Sequence, residues 1–445
     1  MSLESISSIG LYGTSGTVQN DNTKVRPEDL KNKIIIRDQK SGKILIMTYE
    51  QYIKYLYSLY QQGKEQSHIE PYELGPKKDD TRVIGEESVT EPLKKGSSAP
   101  SADKATPAEI REYETNIEQS NGVVDDFKQG CRGDCYLLAA IESIRNTEDG
   151  QEILAKNVKV NNDGSYSVVL PGAVAARNNY ISQGYDPDKI AITGKYTITK
   201  DAIEKVKSLA GKSYAYGDIE VIALELAMEA FRSEIMQTNE TLGIKSERFI
   251  AGQFAPNSDV DTLSSGFTYD AIFVLTGQKS VLYEAKKEKK KDIKLYIPGE
   301  YGYVGEEPKL SKGNVGSSQK GKGIVEIEHL YNKESDLQRM LDTYKGKEAQ
   351  YSITVSFMVG IDGPDGTTKA GGGHALTVVA ITDEYVEVVN PWDTKKHERI
   401  PRGDFEKMAY RLNVTPMSGE KVDNFYEKNV DNQQEKKNIF NWLFK

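Results

Sequence analysis

The spacing of apolar and polar positions separates a short first part of the chain from a long second part. Residues 1–32 are polar and rich in Ser, Thr, Gly and Asn, and we expect them to be poorly ordered. Alternating apolar positions over 33–38 and 43–47 flank a short polar turn, which predicts a β-hairpin. A capping-box spacing and apolar residues at helical spacing predict a helix over 48–63. We interpret residues 1–74 as a small, partly disordered N-terminal unit.

The composition changes between residues 75 and 108, where Pro, Ser and charged residues replace apolar ones. Because so few apolar side chains cannot offset the entropy lost on ordering, this segment is predicted to be a flexible linker. From 109 to 416, helical and strand patterns alternate densely, which is typical of one large α+β body. Residues 417–445 form a polar tail with an apolar end, which we expect to dock on the body; a partner or membrane surface is the alternative.

The composition narrows the class of protein. The chain has 445 residues, with 58 basic and 67 acidic side chains, and its formal charge of −9 argues against a nucleic-acid partner. Two cysteines are too few for a disulfide-built fold, and no apolar run reaches the about 18 residues of an integral membrane segment. The N-terminus lacks the basic and apolar regions of a signal peptide, which predicts a cytoplasmic location or export by a non-classical route.

The residues around Cys135 indicate a catalytic role, although a lone cysteine in a helix is more often a small buried hydrophobic residue. The turn-forming pair Gly133–Asp134 precedes it and an apolar helical run follows, so Cys135 is predicted in the first turn of a helix. The unpaired N–H groups and the dipole there favour a thiolate, which is the nucleophile of acyl transfer. The N–H of Cys135 and the side-chain amide of Gln129 are candidate donors to an oxyanion. Cys131 is interpreted as structural or incidental.

A nucleophilic cysteine needs a proton acceptor, and His374 is the candidate base. It follows three glycines, which allow another chain to approach closely, and it begins an apolar strand. Pairing Ile381 with Tyr385 across a three-residue turn brings Asn390 diagonal to His374 on one face of a hairpin. An amide oxygen there can hold the imidazole in one tautomer, with Trp392 shielding the bond. The remaining histidines are most simply surface residues: His68, His329 and His397.

Three motifs resemble, in order, the cysteine, histidine and asparagine boxes of the calpain family of papain-like proteases. They are DFKQGCRGDCYLLAA at 126–140, GHA at 373–375 and NPW at 390–392. The resemblance covers about 109–416 and implies a papain-like α+β core with two subdomains. A helical subdomain of about 109–240 would carry the cysteine, and an antiparallel β subdomain of about 241–416 would carry the histidine and asparagine.

The resemblance implies a cysteine endopeptidase that hydrolyses protein or peptide substrates through a thioester acyl-enzyme. The catalytic roles it assigns are nucleophile for Cys135, general base and acid for His374, imidazole orienter for Asn390 and oxyanion donor for Gln129. The supporting positions it assigns are Trp392, Gly133, Asp134 and Gly373. The sequence departs from the family pattern at Tyr136, where Trp is usual, and at Asp393, where Gly is common.

The chemistry implied requires no cofactor. The family implies calcium as an activator, but no EF-hand loop is present in the sequence and no metal ligand is assigned. Two rival classes stay open: acyl transfer of the transglutaminase or amidase type, and a catalytically silent papain-like binding module. The Asn orienter argues against the first, and the joint presence of nucleophile, base and orienter argues against the second. Because the predicted linker directly precedes the core, autocleavage is expected within 75–107.

Overall fold

The architecture is mixed α+β, as predicted. The computed structural model describes residues 33–38, 44–48, 69–71, 81–90, 105–117, 120–182, 184–244, 262–264, 266–286, 290, 293–299, 329–362 and 368–417. The strands are β1 (Lys33–Asp38), β2 (Ile44–Thr48), β3 (Ile69–Pro71), β4 (Arg82–Ile84), β5 (Val158–Val160), β6 (Tyr166–Val169), β7 (Lys195–Ile198), β8 (Val281–Glu284), β9 (His329–Tyr331), β10 (Tyr351–Asp362), β11 (Thr368–Ile381), β12 (Tyr385–Val389), β13 (His397–Pro401) and β14 (Arg411–Pro416). The α-helices are α1 (Pro107–Asn116), α2 (Cys135–Arg145), α3 (Gly150–Asn157), α4 (Pro171–Ser182), α5 (Lys200–Ser208), α6 (Ile219–Thr241), α7 (Thr268–Thr276), α8 (Glu334–Tyr344) and α9 (Arg402–Met408).

The chain divides into two compact units. One comprises Met1–Arg82, Ala173–Lys195 and Ser233–Lys245, and the other comprises Val83–Gly172, Tyr196–Arg232 and Ser246–Lys445. In the first unit, β1 and β2 pair antiparallel, so the predicted hairpin is confirmed. The β3 strand pairs with the other side of β1. The predictions for 1–32, for a helix over 48–63 and for the tail from 418 onward lie outside the described residues.

A seven-stranded sheet is the centre of the second unit, in the order β13-β12-β11-β10-β14-β8-β9. Its pairs are antiparallel except for the parallel pair β8–β9. One large apolar cluster contains side chains from the central strands together with side chains from α8 and α9, such as Phe357, Leu376, Leu341 and Phe405. Burial of this apolar surface is the main stabilising contribution to the sheet.

Short polar side chains join the sheet to the helix that carries Cys135. Thr377 of β11 donates its hydroxyl to the carbonyl of Ala139 at 2.8 Å, and the hydroxyls of Ser143 and Ser352 lie 2.6 Å apart. These hydroxyls are buried and satisfied, which lets α2 lie close against the strands. Cys135 and the sheet therefore belong to one unit, and its predicted division into subdomains near residue 240 stays a prediction.

Residues 81–90 correct part of the predicted linker. The β4 strand joins a four-stranded sheet in the order β4-β7-β6-β5, and a 3₁₀ turn follows at Glu86–Ser88. Ile84 and Val89 are buried, so this short segment has enough apolar contact to be ordered despite its polar composition. Thr90 then donates its hydroxyl to Glu229 at 2.8 Å. At the other end of the predicted linker, α1 begins at Pro107 with a capping box on Thr106.

Within the part of the chain that the structure describes, none of the helices combines the length and apolar character needed to cross a membrane.

Candidate active site

Cys135 is the first residue of α2, as predicted. The carbonyl of Asp134 accepts the N–H of Leu137 at 2.8 Å and so closes the first turn of this helix. The backbone N–H of Ala375 on β11 is directed at the sulfur of Cys135, as is the N–H of Cys135 itself. The sulfur therefore lies between the start of the helix and the strand that carries His374.

Glycines shape the loop that leads into this helix. A Cβ on Gly130 would lie 2.2 Å from the carbonyl oxygen of Tyr214 and 2.3 Å from that of Ser213, so only glycine fits beside that crossing backbone. The N–H of Gly133 donates to the hydroxyl of Ser264 at 3.1 Å. The loop is thus held by two other segments of the same unit before it reaches Cys135.

His374 and Asn390 are hydrogen-bonded, with 2.9 Å between Nε2 and Oδ1. The backbone N–H of Trp392 also points at Oδ1, at 3.0 Å, and an N–H can only donate to an oxygen, which fixes the orientation of the amide. Nε2 must therefore carry the proton, and Nδ1 is left as the basic nitrogen. The Trp392 ring lies 4.5 Å from the imidazole, centroid to centroid, and covers one face of the buried His374.

The register of β11 and β12 agrees with the prediction near the site and differs at the tip. At the tip, Ile381 pairs with Val386 rather than Tyr385. A β-bulge then restores the predicted register, and Thr377 pairs with Val389. Strand β12 ends there, one residue before Asn390, so the asparagine leaves the ladder and reaches His374 with its side chain.

The ionisation of Cys135 differs from the sequence prediction of a stabilised thiolate. Burial raises the pKa of its thiol to about 11, and the neighbouring Asp134 carboxylate acts in the same direction. The N–H groups around the sulfur lower this pKa, but by less than burial raises it. Burial also lowers the pKa of His374 to about 4. Within the described residues no hydrogen bond joins the sulfur to the imidazole, so the resting pair is a neutral thiol and a neutral imidazole.

The side-chain amide of Gln129 is hydrogen-bonded within its own loop, and its role as the oxyanion donor stays a prediction. Its Nε2 donates to the carbonyl of Arg132 at 2.6 Å and to Oδ1 of Asp134 at 3.0 Å. Both acceptors are oxygens, so both amide protons are engaged. Its backbone N–H donates to the carbonyl of Pro391 at 2.8 Å, which ties this loop to the segment carrying Asn390. The other predicted oxyanion donor, the N–H of Cys135, lies at the sulfur.

The two cysteines are free thiols, and Cys131 is partly exposed on the loop before the helix. Burial raises the pKa of the Cys131 thiol as well. Cys131 therefore supplies a matched second thiol for experiments on Cys135.

Gly373 has a specific steric role beside His374. A Cβ at this position would lie 2.6 Å from the hydroxyl of Tyr410, while the next nearest atom of that ring is 3.8 Å away. We expect Gly373→Ala to destabilise the protein by about 1–3 kcal/mol through this overpacking. Adding Tyr410→Phe removes the clashing oxygen and should recover most of the loss. Urea unfolding of the single and double variants measures the coupling.

Gly372→Ala is the matched control for this prediction, because no atom of the described residues lies within 4 Å of the place that its Cβ would take. Its unfolding free energy should equal that of the wild type. Equal losses in Gly373→Ala with and without Tyr410→Phe would contradict the steric role.

Two buried charged residues of α6 belong to the surroundings of the site and were not predicted from the sequence. Arg232 donates to the hydroxyl of Tyr136 at 2.5 Å, and Glu225 is fully buried near Asp134. Their signal was present in the sequence, since α6 is apolar on most sides and charges at buried positions need partners.

Among the described residues, no group of three or more His, Cys, Asp or Glu side chains is arranged to hold a metal ion. We therefore assign no calcium ligands among these residues. The chemistry below is derived from the protein's own side chains and backbone groups.

Comparison of the chain with protein-family models found no matching family, and comparison with curated proteins found no match.

Proposed function

We propose that this protein is a calpain-like cysteine endopeptidase with a papain-like core. The observation that carries the proposal is the position of His374. It is hydrogen-bonded to Asn390, and the residue after it on β11, Ala375, directs its N–H at the sulfur of Cys135. A cysteine at a helix start, beside an imidazole held in one tautomer by an amide, is the arrangement that thiol-dependent acyl transfer needs.

Acylation follows from the neutral resting pair. As the sulfur of Cys135 bonds to the carbonyl carbon of the substrate, its proton moves to Nδ1 of His374. The carbonyl oxygen becomes an oxyanion, which the N–H of Cys135 stabilises. The tetrahedral intermediate then expels the amine, which takes the proton from His374, and the acyl group remains on the sulfur as a thioester.

Deacylation reverses these roles. His374, neutral again, removes a proton from water as the water attacks the thioester carbonyl. The carbon–sulfur bond breaks, the thiolate of Cys135 recovers the proton, and the acid product leaves. Asn390 keeps the imidazole in the same tautomer through both steps, and Trp392 excludes water from that hydrogen bond.

The test is cleavage of a denatured protein by wild type, Cys135→Ala and Cys131→Ala, each with and without calcium. We expect wild type and Cys131→Ala to cleave it equally and Cys135→Ala to be inactive. Comparison of the cleavage rates with and without calcium determines whether calcium activates the protein. Cleavage that survives Cys135→Ala would contradict the assignment.

The two rival classes give different results in the same experiment. Incorporation of an added amine into the product, in place of hydrolysis, would indicate transfer of the transglutaminase type. A wild type that binds the substrate but cleaves it under no condition would indicate a binding module.

Autocleavage is proposed for only part of the predicted range. Residues 81–90 lie in a paired strand, a 3₁₀ turn and the Thr90 anchor, and they would have to leave these contacts to enter a protease site. The remainder of the predicted range, chiefly 75–80 and 91–104, lies outside the described residues and is where N-terminal sequencing of the processed protein should place the cut.

A further inference from the structure

A group of polar side chains supports the cysteine loop (residues 129–134), and Glu229 of α6 lies at its centre. The hydroxyl of Thr90 donates to Oε1 of Glu229 at 2.8 Å, and the hydroxyl of Tyr214 donates to Oε2 at 2.6 Å. Nη1 of Arg132 is ion-paired with Oε2 at 3.0 Å. A buried carboxylate needs such donors because burial removes its water. Glu229 therefore joins three segments of the chain that are separate in the sequence.

Arg132 is the member of this group that lies on the cysteine loop, three residues before the start of α2. Each nitrogen of its guanidinium group has a different partner. Nε donates to the hydroxyl of Ser213 at 2.9 Å, Nη2 donates to the carbonyl of Thr90 at 3.3 Å, and Nη1 forms the ion pair with Glu229. The ring of Tyr214 covers one face, with 4.1 Å between its centroid and Cζ. The planar group therefore cannot rotate without breaking several contacts at once.

The backbone at Arg132 connects this side chain to the rest of the loop. The carbonyl of Arg132 accepts the side-chain amide of Gln129 at 2.6 Å. The next residue, Gly133, donates its N–H to the hydroxyl of Ser264 at 3.1 Å. A displacement of Arg132 would therefore disturb both the predicted oxyanion donor and the residues that lead into the helix of Cys135.

Thr90 brings a segment that precedes α1 into contact with the same group. Its N–H donates to the hydroxyl of Tyr214 at 3.0 Å, and its carbonyl accepts the hydroxyl of Ser213 at 3.1 Å in addition to Nη2 of Arg132. The N–H, the carbonyl and the hydroxyl of Thr90 are thus all engaged. The segment 83–90 is also held near its other end, where the carbonyl of the buried Ile84 accepts the N–H of Thr199 at 2.9 Å.

We propose that Arg132 is a positioning residue of the protease and that Thr90 and Glu229 hold its side chain in place. The proposal rests on the proposed function for its catalytic consequence, whereas the fixation of the cysteine loop is a property of the fold. Arg132 and Glu229 are buried, so they act on Cys135 through the loop and not by contact with the substrate. Loss of this support should therefore lower kcat and leave KM little changed.

The first test compares kcat and KM of wild type, Arg132→Met and Arg132→Lys at a temperature at which all three proteins are folded. Methionine removes every polar contact of the guanidinium group, and we expect kcat to fall about 10²-fold, as for a displaced catalytic group. Lysine keeps the charge for Glu229 but has a single nitrogen in place of three, so its kcat should be intermediate. A kcat of Arg132→Met equal to that of wild type would overturn the proposal.

Arg402→Met is the matched control, because it removes an ion-paired arginine whose carboxylate partners include residues of α8 and α9. Arg402 is ion-paired with Asp342 at 2.5 Å and with Glu406 at 3.2 Å. The variant should melt at a lower temperature than wild type and keep the wild-type kcat. A fall in kcat as large as that of Arg132→Met would show that general loosening causes the loss, and the proposal would then fail.

Thr90→Val tests whether the segment 83–90 acts through Arg132. Valine replaces only the hydroxyl that donates to Glu229, so we expect kcat to fall about threefold. In an Arg132→Met background the same change should have no further effect, because the side chain that it helps to hold is already absent. Independent effects of the two changes on kcat would contradict this route. Thr90→Val also decides on the proposal if Arg132→Met does not fold, since a wild-type kcat would then overturn it.

Hydrogen exchange measures the fixation of the loop without requiring activity. The backbone N–H groups of Gln129 and Gly133 are hydrogen-bonded, so their exchange reports opening of the loop. In Arg132→Met, peptides covering 129–134 should exchange at least about tenfold faster than in wild type, while those covering β10 and β11 should not change. Unchanged exchange over 129–134 would overturn the proposal.

The two measurements separate failure of this inference from failure of the proposed function. If the wild type cleaves no protein, the proposed function fails while the exchange rates still decide whether Arg132 holds the loop. If the wild type is active and Arg132→Met keeps its kcat, the inference about Arg132 fails alone.

Discussion

Replacing His374 by alanine is expected to lower kcat/KM for protein cleavage about 10³-fold. The imidazole is hydrogen-bonded to Asn390, and its neutral form is favoured because burial lowers its pKa to about 4. With the thiol pKa raised to about 11, Cys135 has almost no thiolate near neutral pH. The reaction therefore depends on proton transfer to His374 during attack, and the variant lacks the group that accepts this proton.

His397→Ala is the control for this prediction. His397 lies on β13, where its Nδ1 is 2.9 Å from Glu387, and it belongs to neither the cysteine loop nor the asparagine segment. Its removal should leave kcat/KM unchanged within about twofold, as expected for surface substitutions. An acid limb of the wild-type profile near pH 4 that disappears in His374→Ala would identify the imidazole as the titrating group. Equal activity of His374→Ala and wild type would exclude it as the base.

Replacing Arg232 by methionine is expected to lower the free energy of unfolding by about 3 kcal/mol or more. The side chain is 1 % exposed and donates to the hydroxyl of Tyr136 at 2.5 Å and to the carbonyl of Leu263 at 2.6 Å. Methionine fills similar space but leaves these buried acceptors without their donor, so the desolvation cost of each is no longer offset. Because Tyr136 follows Cys135, we also expect the nucleophile to lose its fixed position.

Urea unfolding measures the stability, and the rate of alkylation at Cys135 relative to Cys131 reports the position of the nucleophile. Arg232→Lys is the informative comparison, since it keeps the charge but replaces the planar guanidinium, whose Nη1 donates to both acceptors, with an ammonium group of different reach and geometry. It should be intermediate in stability. A loss below about 1 kcal/mol for Arg232→Met would mean that the surrounding groups find other partners.

The cysteine end of the site could be predicted because local sequence determines it. A turn at Gly133–Asp134 followed by an apolar helical run starts a helix at Cys135 whatever packs around it. The meeting of His374 and Asn390 was also predictable, because two strands joined by a short turn must pair antiparallel. Here the prediction was correct at the site and wrong at the hairpin tip, since a bulge absorbs the one-residue difference.

Side-chain partners from distant parts of the chain could not be predicted. The raised pKa of Cys135 follows from burial against β11, more than 200 residues further along the sequence. The ordering of residues 81–90 likewise depends on β7 and on Glu229. Both are more than 100 residues away in the sequence, so the pattern within 81–90 could not predict these contacts.

The sequence by itself determined the mixed α+β class, the helix start at Cys135 and the pairing that brings Asn390 to His374, because these depend on contacts between near neighbours in the chain. Only the tertiary structure decided the ionisation of the thiol and the burial of the charged residues Glu225 and Arg232 near the site. These depend on burial and on charges contributed by separate elements. Electrostatic energies change most where water is excluded, and which groups lose water is set by the packing of the whole unit.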